Sequence, residues 1–364
     1  MTKRPNRMIE LLREHGYEAF FVGGCVRDTL LGRPVHDWDI TTSALPSEVM
    51  SVFDRCDPTG LKHGTVTVYL DGISAEITTY RADGSYLDGR HPQSVTFVKE
   101  LALDLVRRDL TINAMAMDEK GNITDLFDGQ KDLACRYVRC IGEPDVRFTE
   151  DALRMLRAMR FAAQLGFDLE PKTEASIINN APLCRKLSAE RVRDEVRKVL
   201  CSSGTAWLDR MADAGLLELL SPTKGTNCGP LALLAEHETT RWAGLCALWE
   251  ALDLHALRLD KKTADLAMLA GRCAVPGSRL GWKELIVEHG EECAVIVAEL
   301  AEKTDEVQEI LHSGECLSLR DLAVSGSDLP ELSGPQLGAH LKKLLAHVLR
   351  YPQDNRREIL LQIP

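Results

Sequence analysis

The spacing of apolar positions changes character near residue 142. Before it, short strand-forming runs alternate with brief helical stretches; after it, helical spacing dominates. Residues 7–16 place Met8, Leu11 and Leu12 on one helical face, with Gly16 as a stop. Phe20, Phe21 and Val22 predict a short strand ended by Gly23-Gly24. Residues 26–31 return to helical spacing until Gly32-Arg33-Pro34, and residues 35–40 are extended again. Leu45-Pro46 opens a short helix over 47–53. From His63 the stretch HGTVTVYLDGISAEITTYR alternates with period two and predicts a hairpin turning at Asp71-Gly72. Residues 81–94 are a polar loop punctuated by Gly84, Gly89 and Pro92.

Leu101, Leu105, Leu110 and Ile112 give the next stretch an apolar face, and NITDLFDGQKDL closes the sheet near residue 140. Thr149 then predicts the N-cap of a helix running through EDALRMLRAMRFAAQLGF, with Leu153, Leu156, Phe161 and Ala162 as its buried stripe. Ser188 caps a helix whose polar side carries Arg191, Arg193, Arg197 and Lys198. A further helix ends at Ser221-Pro222, and residues 223–230 form a Gly/Pro-rich loop. Helical spacing recurs over about 229–255, 263–273, 281–303 and 305–312. Gly334-Pro335 opens a last helix.

At 364 residues the chain has room for two or more domains. Hydrophobic residues make up 45% and charged residues 27%, with no apolar run able to span a bilayer, so the composition is that of an ordinary soluble protein. The N-terminal stretch has no signal-peptide core. Eleven cysteines without a CxxC pair read as reduced thiols of a cytoplasmic protein rather than a disulfide frame or zinc site. A net charge of −11 argues against indiscriminate nucleic-acid binding but leaves room for a local basic face. Composition alone favours a small-molecule enzyme.

The chemistry concentrates in residues 20–41. Strand periodicity puts Asp37 and Asp39 on one side, as half of a divalent-cation site suited to Mg²⁺ with substrate phosphates. Gly23 and Gly24 let a backbone approach phosphate, and Arg27 follows at the start of a helix. An anion site beside a metal site suggests a nucleoside triphosphate. Glu76 is either an exposed-face residue of its strand or a third carboxylate beside Asp37 and Asp39.

The glycine pair, Asp28, and HDWDIT resemble the first motif of the DNA polymerase β-type nucleotidyltransferases. More narrowly they resemble the class II branch, which holds bacterial and eukaryotic CCA-adding enzymes and bacterial poly(A) polymerases. Arg107-Arg108-Asp109 with Asn113-Ala114 matches the family's second motif, and Glu150-Asp151 with Arg154 matches its EDxxR motif. The resemblance is strong over about residues 18–200 and loose over 315–364. It implies an α+β fold: a polymerase-β-like head with a mixed sheet plus helices, then an all-α neck, body and tail. The expected bounds are 1–141, 142–205, 206–312 and 313–364.

The resemblance also implies roles. Asp37, Asp39 and Glu76 would be catalytic, with Asp37 and Asp39 holding Mg²⁺. Gly24, Arg27 and Arg108 would hold the triphosphate and sugar of CTP or ATP. Asp151 and Arg154 would read the base. Cytosine and adenine each offer an amino donor beside a ring-nitrogen acceptor, which a carboxylate and a guanidinium complement; guanine and uracil reverse both. Arg157 and Arg160 would buttress Asp151 or reach the phosphates. On an arbitrary helix the same four charges would form a salt-bridged face. The loop at 81–94 is where this family switches from C to A, and it has full length here. The partner would be tRNA, at its 3′ acceptor end and elbow, with the tail helix contacting RNA and no membrane. Oligomeric state stays open between monomer and dimer. Addition of A alone, poly(A) synthesis, and tRNA binding on a degenerate head remain alternatives.

Overall fold

Seven strands carry the first half of the molecule, and their order explains where its carboxylates meet. The computed structural model describes residues 4–84, 95–218, 220, 227–249 and 251–364. Two units divide the chain, Met1–Leu219 and Leu220–Pro364. The first runs α1 (Asn6–Glu14), β1 (Ala19–Val22), α2 (Gly24–Leu30), β2 (Trp38–Thr42), α3 (Pro46–Val52), β3 (Cys56–Gly60), β4 (Thr65–Leu70) and β5 (Ile73–Thr79). It continues with β6 (Arg81–Asp83), β7 (Val95–Phe97), α4 (Leu101–Val106), β8 (Met115–Met117), β9 (Ile123–Asp125), α5 (Gly129–Cys135) and β10 (Tyr137–Val138). Then come α6 (Pro144–Glu150), α7 (Leu153–Leu165), β11 (Asp168–Leu169), α8 (Pro171–Asn180), α9 (Ala189–Leu200) and α10 (Trp207–Asp213).

The sheet order is β3-β4-β5-β2-β1-β8-β9. Every neighbouring pair is antiparallel except β2 and β5, which run parallel. This is the mixed sheet of an α+β fold. The β4–β5 hairpin turns at Asp71 and Gly72, both at positive φ (51° and 76°), the geometry whose twist suits a two-residue connection. Alternation sorts β5 by face: Ala75, Ile77 and Thr79 are buried, while Glu76 is exposed on the other face. The same sorting on β2 puts Trp38, Ile40 and Thr42 on one face and Asp39 and Thr41 on the other.

Helices cover the sheet with apolar side chains. Met8, Ile9 and Leu12 of α1 are fully buried, and Gly16, at φ 86°, lets the chain turn back toward β1. Leu105 of α4 packs with Val22 and Ala116, joined by Phe20, Leu101 and Phe127. Each such fully buried aliphatic side chain contributes about 1.5–3 kcal/mol. The loop expected over 81–94 begins as β6, which pairs with β7; residues 85–94 lie outside the described ones.

The second unit is helical: α11 (Glu238–Leu248), α12 (Lys261–Arg272), α13 (Arg279–His289), α14 (Glu291–Leu300), α15 (Thr304–His312), α16 (Gly334–Arg350) and α17 (Arg357–Leu360). Two expected helices are shorter than their spacing suggested. Residues 281–303 split into α13 and α14 at Gly290, whose φ of 88° no continuous helix accommodates. The stretch 229–255 holds a 3₁₀ turn, Gly229–Leu233, then α11. The expected stop at Ser221-Pro222, and the loop after it up to residue 226, lie outside the described residues. Leu344, Leu345 and Val348 of α16 form an apolar cluster with Val324, Leu329 and Leu360. Among the described residues no helix is long and apolar enough to cross a membrane.

Candidate active site

Because β2 and β5 pair parallel and in register, Asp39 stands directly beside Glu76 on the open face of the sheet. Asp37 lies one residue before β2 and is exposed, whereas Asp39 is half-buried. Burial pushes the Asp39 carboxyl up to about 6; the Arg108 guanidinium pulls it down, and Glu76 and Asp37 push it further up. The Asp39 carboxylate therefore feels both of the others.

The glycine turn sits against this group. Gly23 precedes α2 at φ 79°, and a Cβ there would stand 3.2 Å from Arg108 Nη1 and 3.6 Å from Asp39 Oδ2. Only a residue without a side chain fits so close, in a conformation that L residues avoid. Cys25, the second residue of α2, donates its thiol to the carbonyls of Val22 and Asp39 at 3.2 and 3.6 Å, tying helix to strand. Burial pushes that thiol up to about 11, so it stays protonated. A Cβ on Gly24 would lie 3.5 Å from Arg27 Nη2.

The arginines divide by what they hold. Arg27 is buried: its Nε and Nη2 each donate to Asp28 at 2.9 Å, and its Nη1 donates to Asn113 at 2.7 Å. It also lies 5.0 Å from the centre of the Phe161 ring. Arg108 donates from Nη2 to Asp104 at 3.3 Å, while its buried Nε makes no hydrogen bond among the described residues. Arg107 donates to the same Asp104 through Nε at 3.0 Å and Nη2 at 2.9 Å. Burial raises the Asp104 carboxyl, but Arg107 and Arg108 outweigh it and hold it below the usual range.

The EDxxR segment differs from its expected form. The helix does not start at Thr149: α6 ends at Glu150, and α7 begins at Leu153. Asp151 is the extended residue between them (φ −149°, ψ 107°). Its Oδ1 accepts the Leu153 N–H at 3.0 Å, and its Oδ2 accepts from Arg191 at 2.7 Å. A short carboxylate that can bond its own backbone competes with helix at this position. Asp151 therefore shares no helix face with the arginines that follow. Arg154, buried, donates to Glu150 at 2.6 Å and to the Arg147 carbonyl at 3.3 Å. Arg157 donates to Asp109 at 2.6 Å, and Arg160 to Glu195 at 2.8 Å. Arg160 also stands 3.5 Å from the centre of the Phe161 ring. Burial raises Asp109, but Arg157, with Arg154 and Arg160 behind it, brings it down to about 2.

Asp104 and Glu195, which no motif in the sequence marks, fix Arg108 and Arg160. Glu150 fixes Arg154, and Arg191 and Asn113 close the network. Arg191 stood out only as part of a basic helix face.

Residues 19–139 match the poly A polymerase head domain, and residues 166–223 match the probable RNA and SrmB-binding site of polymerase A. The mixed sheet with its helices is that of a nucleotidyltransferase head. The CCA-adding enzyme of Geobacillus thermodenitrificans is 43% identical over 366 residues, covering 94% of this chain and 90% of that one. The CCA-adding enzyme of Levilactobacillus brevis is 37% identical, covering 97% and 95%. A crystal structure of the Bacillus stearothermophilus CCA-adding enzyme in complex with CTP superposes with a TM-score of 0.84 at 35% identity, over 98% of this chain and 96% of that one. The chain belongs to the CCA-adding enzyme family of tRNA nucleotidyltransferases.

Nucleotidyltransferases of this kind are generally divalent-metal dependent. Among the described residues no group of three or more His, Cys, Asp or Glu side chains could hold a metal ion. A hard cation that also binds substrate phosphates needs only one or two carboxylates. Asp39, half-buried beside Glu76 and with Asp37 near it, gives oxygen donors that fit such a cation.

Proposed function

We propose that this chain completes tRNA 3′ ends, transferring CMP, CMP and then AMP from CTP and ATP with release of pyrophosphate. The observation that carries this is the register pair Asp39–Glu76 beside Arg108 and the glycine turn, in a chain of this family. Asp37 and Asp39 would hold Mg²⁺, and Glu76 would add negative charge at its edge. Two such ions would supply a lowered pKa at the primer hydroxyl and neutralisation of the leaving phosphates. Arg108 presents its guanidinium beside the carboxylates, where the triphosphate must lie. Gly23 and Gly24 leave room for that approach, and Arg27 orders the turn through Asp28 and Asn113.

Asp151 and Arg154 would read the base: the carboxylate accepts from the amino group, and the guanidinium donates to the ring nitrogen. Each is held by a counter-ion, Arg191 and Glu150, which limits its motion. Arg157 and Arg160 act on this reading as braces, through Asp109 and Glu195, rather than as phosphate ligands. Head, neck, body and tail are assigned to 1–141, 142–205, 206–312 and 313–364. Eleven free cysteines support a cytoplasmic setting.

The test uses tRNA transcripts ending at the discriminator base, at C and at CC, with Mg²⁺ and CTP, ATP or both. Product length is read to one nucleotide. Extension of all three to CCA followed by arrest is expected. Growth of only the CC-ended transcript by one A would make the chain an A-adding enzyme, and a long A ladder a poly(A) polymerase.

A further inference from the structure

Asp104 is a fully buried carboxylate with no place in the chemistry assigned above, yet three chain segments meet on it. Its Oδ2 accepts from Thr41 Oγ1 at 3.2 Å and from Arg108 Nη2 at 3.3 Å. Its Oδ1 accepts from Arg107 Nε at 3.0 Å and Nη2 at 2.9 Å, and from the Arg81 N–H at 3.3 Å. Thr41 is two residues after Asp39 on β2, so both side chains leave the same face of the sheet. Arg108 thus comes near Asp39 from a post on α4, Asp104, that is itself bonded to the strand carrying Asp39. Its Nη1 lies toward Gly23, and its Nε is left without a protein partner among the described residues. A guanidinium anchored at one nitrogen, with another buried and unpaired, is preorganised for an anion.

We infer that Asp104 is a positioning residue for nucleotide binding, setting Arg108 at a fixed distance from Asp39 by bonding Thr41 and Arg108 through one carboxylate oxygen. Only the triphosphate depends on this post, because Arg108 is the one assigned nucleotide ligand that Asp104 touches. The consequence is a selective one. Loosening the post raises the KM for CTP and for ATP by the same factor, since the two share a triphosphate and differ in the base. The KM for tRNA and the preference among bases stay where they are. The inference rests on the proposed role of Arg108 as a triphosphate ligand.

The test measures steady-state KM and kcat for CTP, ATP and tRNA in the full chain. Asp104→Asn keeps the shape but drops the charge that two arginines share; the expected rise in both nucleotide KM values is about tenfold or more. Thr41→Val is nearly isosteric and removes one hydrogen bond, and about threefold is expected. It carries the test if Asp104→Asn does not fold. Neither variant adds to the effect of Arg108→Ala when combined with it. Unchanged nucleotide KM values in Thr41→Val and in folded Asp104→Asn, or effects that multiply in the Arg108→Ala background, would overturn the positioning role. A rise in tRNA KM matching that for nucleotides would do so too, by marking a general structural defect. If Arg108→Ala alone leaves nucleotide KM unchanged, the fault lies with the role of Arg108, and the inference falls with it.

Discussion

The two charged regions of the first unit are built on opposite plans. On the sheet, Asp39 stands beside Glu76 and near Asp37 with Arg108 as the opposing charge, and burial pushes the Asp39 carboxyl up to about 6. Around the α6–α7 junction each acid has a cation of the protein: Asp151 has Arg191, Glu150 has Arg147 and Arg154, Asp109 has Arg157, and Glu195 has Arg160 and Lys198. The first arrangement sets three acids against one guanidinium. The second is satisfied by the protein alone. Frustrated charge suits a site that must recruit metal and phosphate, and balanced charge suits a site that must keep its shape while different bases arrive.

Substitutions test the contrast, beginning with the largest effect. Asp39→Ala removes the centre of the frustrated group; single-turnover CTP incorporation should fall by about a thousandfold or more, with tRNA binding retained in a gel-shift titration. Substantial retained turnover would defeat the metal assignment. Asp151→Ala opens the balanced group, and the preference for CTP over UTP and GTP should narrow by roughly 10- to 100-fold. Wild-type selectivity in that variant would remove Asp151 from base reading.

A smaller effect concerns acid stability. Folding lowers the Asp109 carboxyl from its ordinary 3.8 to about 2, so the gain is fully present above about pH 4 and lost as pH falls through about 2. The shift corresponds to about 2–3 kcal/mol. Asp109→Asn should be less stable than wild type at pH 6 by about that much, and the gap should narrow between pH 4 and 2 in urea titrations. A constant gap would mean that packing, not charge, is lost. Smallest is a pair of glycines. Gly23→Ala and Gly72→Ala each place a side chain at positive φ, costing about 1–2 kcal/mol. Only at Gly23 does the new Cβ meet Arg108, so only that variant should also raise nucleotide KM; Cβ at Gly72 has nothing within 4 Å.

The sheet region was legible in the sequence because its signals are local. A glycine pair, a DxD on a strand and a hairpin with Asp71-Gly72 each announce themselves within a few residues. For Glu76 the sequence leaves two readings open, an exposed face or a place beside Asp39, and the structure joins both. The junction was less legible. EDALRMLRAMR is rich in helix formers, and nothing in its spacing marks the break at Asp151, which comes from the side chain bonding the Leu153 N–H. Its counter-ions are scattered: Arg191 is 40 residues from Asp151, and Glu195 is 35 from Arg160. Asp104 sits in LALDLV, where one acid among leucines reads as a solvent-facing residue of a short helix. Its burial depends on Thr41, 63 residues earlier.

The parallel pairing of β2 with β5 bears on the order in which the head assembles. The β4–β5 hairpin closes a two-residue turn, a fast and cheap event for the chain. Asp39 and Glu76 meet only after β2 docks on β5 across the intervening α3, β3 and β4, and that closure carries a larger entropic cost. The hairpin can therefore form before the site does. Catalytic competence therefore waits on a non-local pairing, so a nascent or partly refolded head holds its carboxylates apart until β2 and β5 have met.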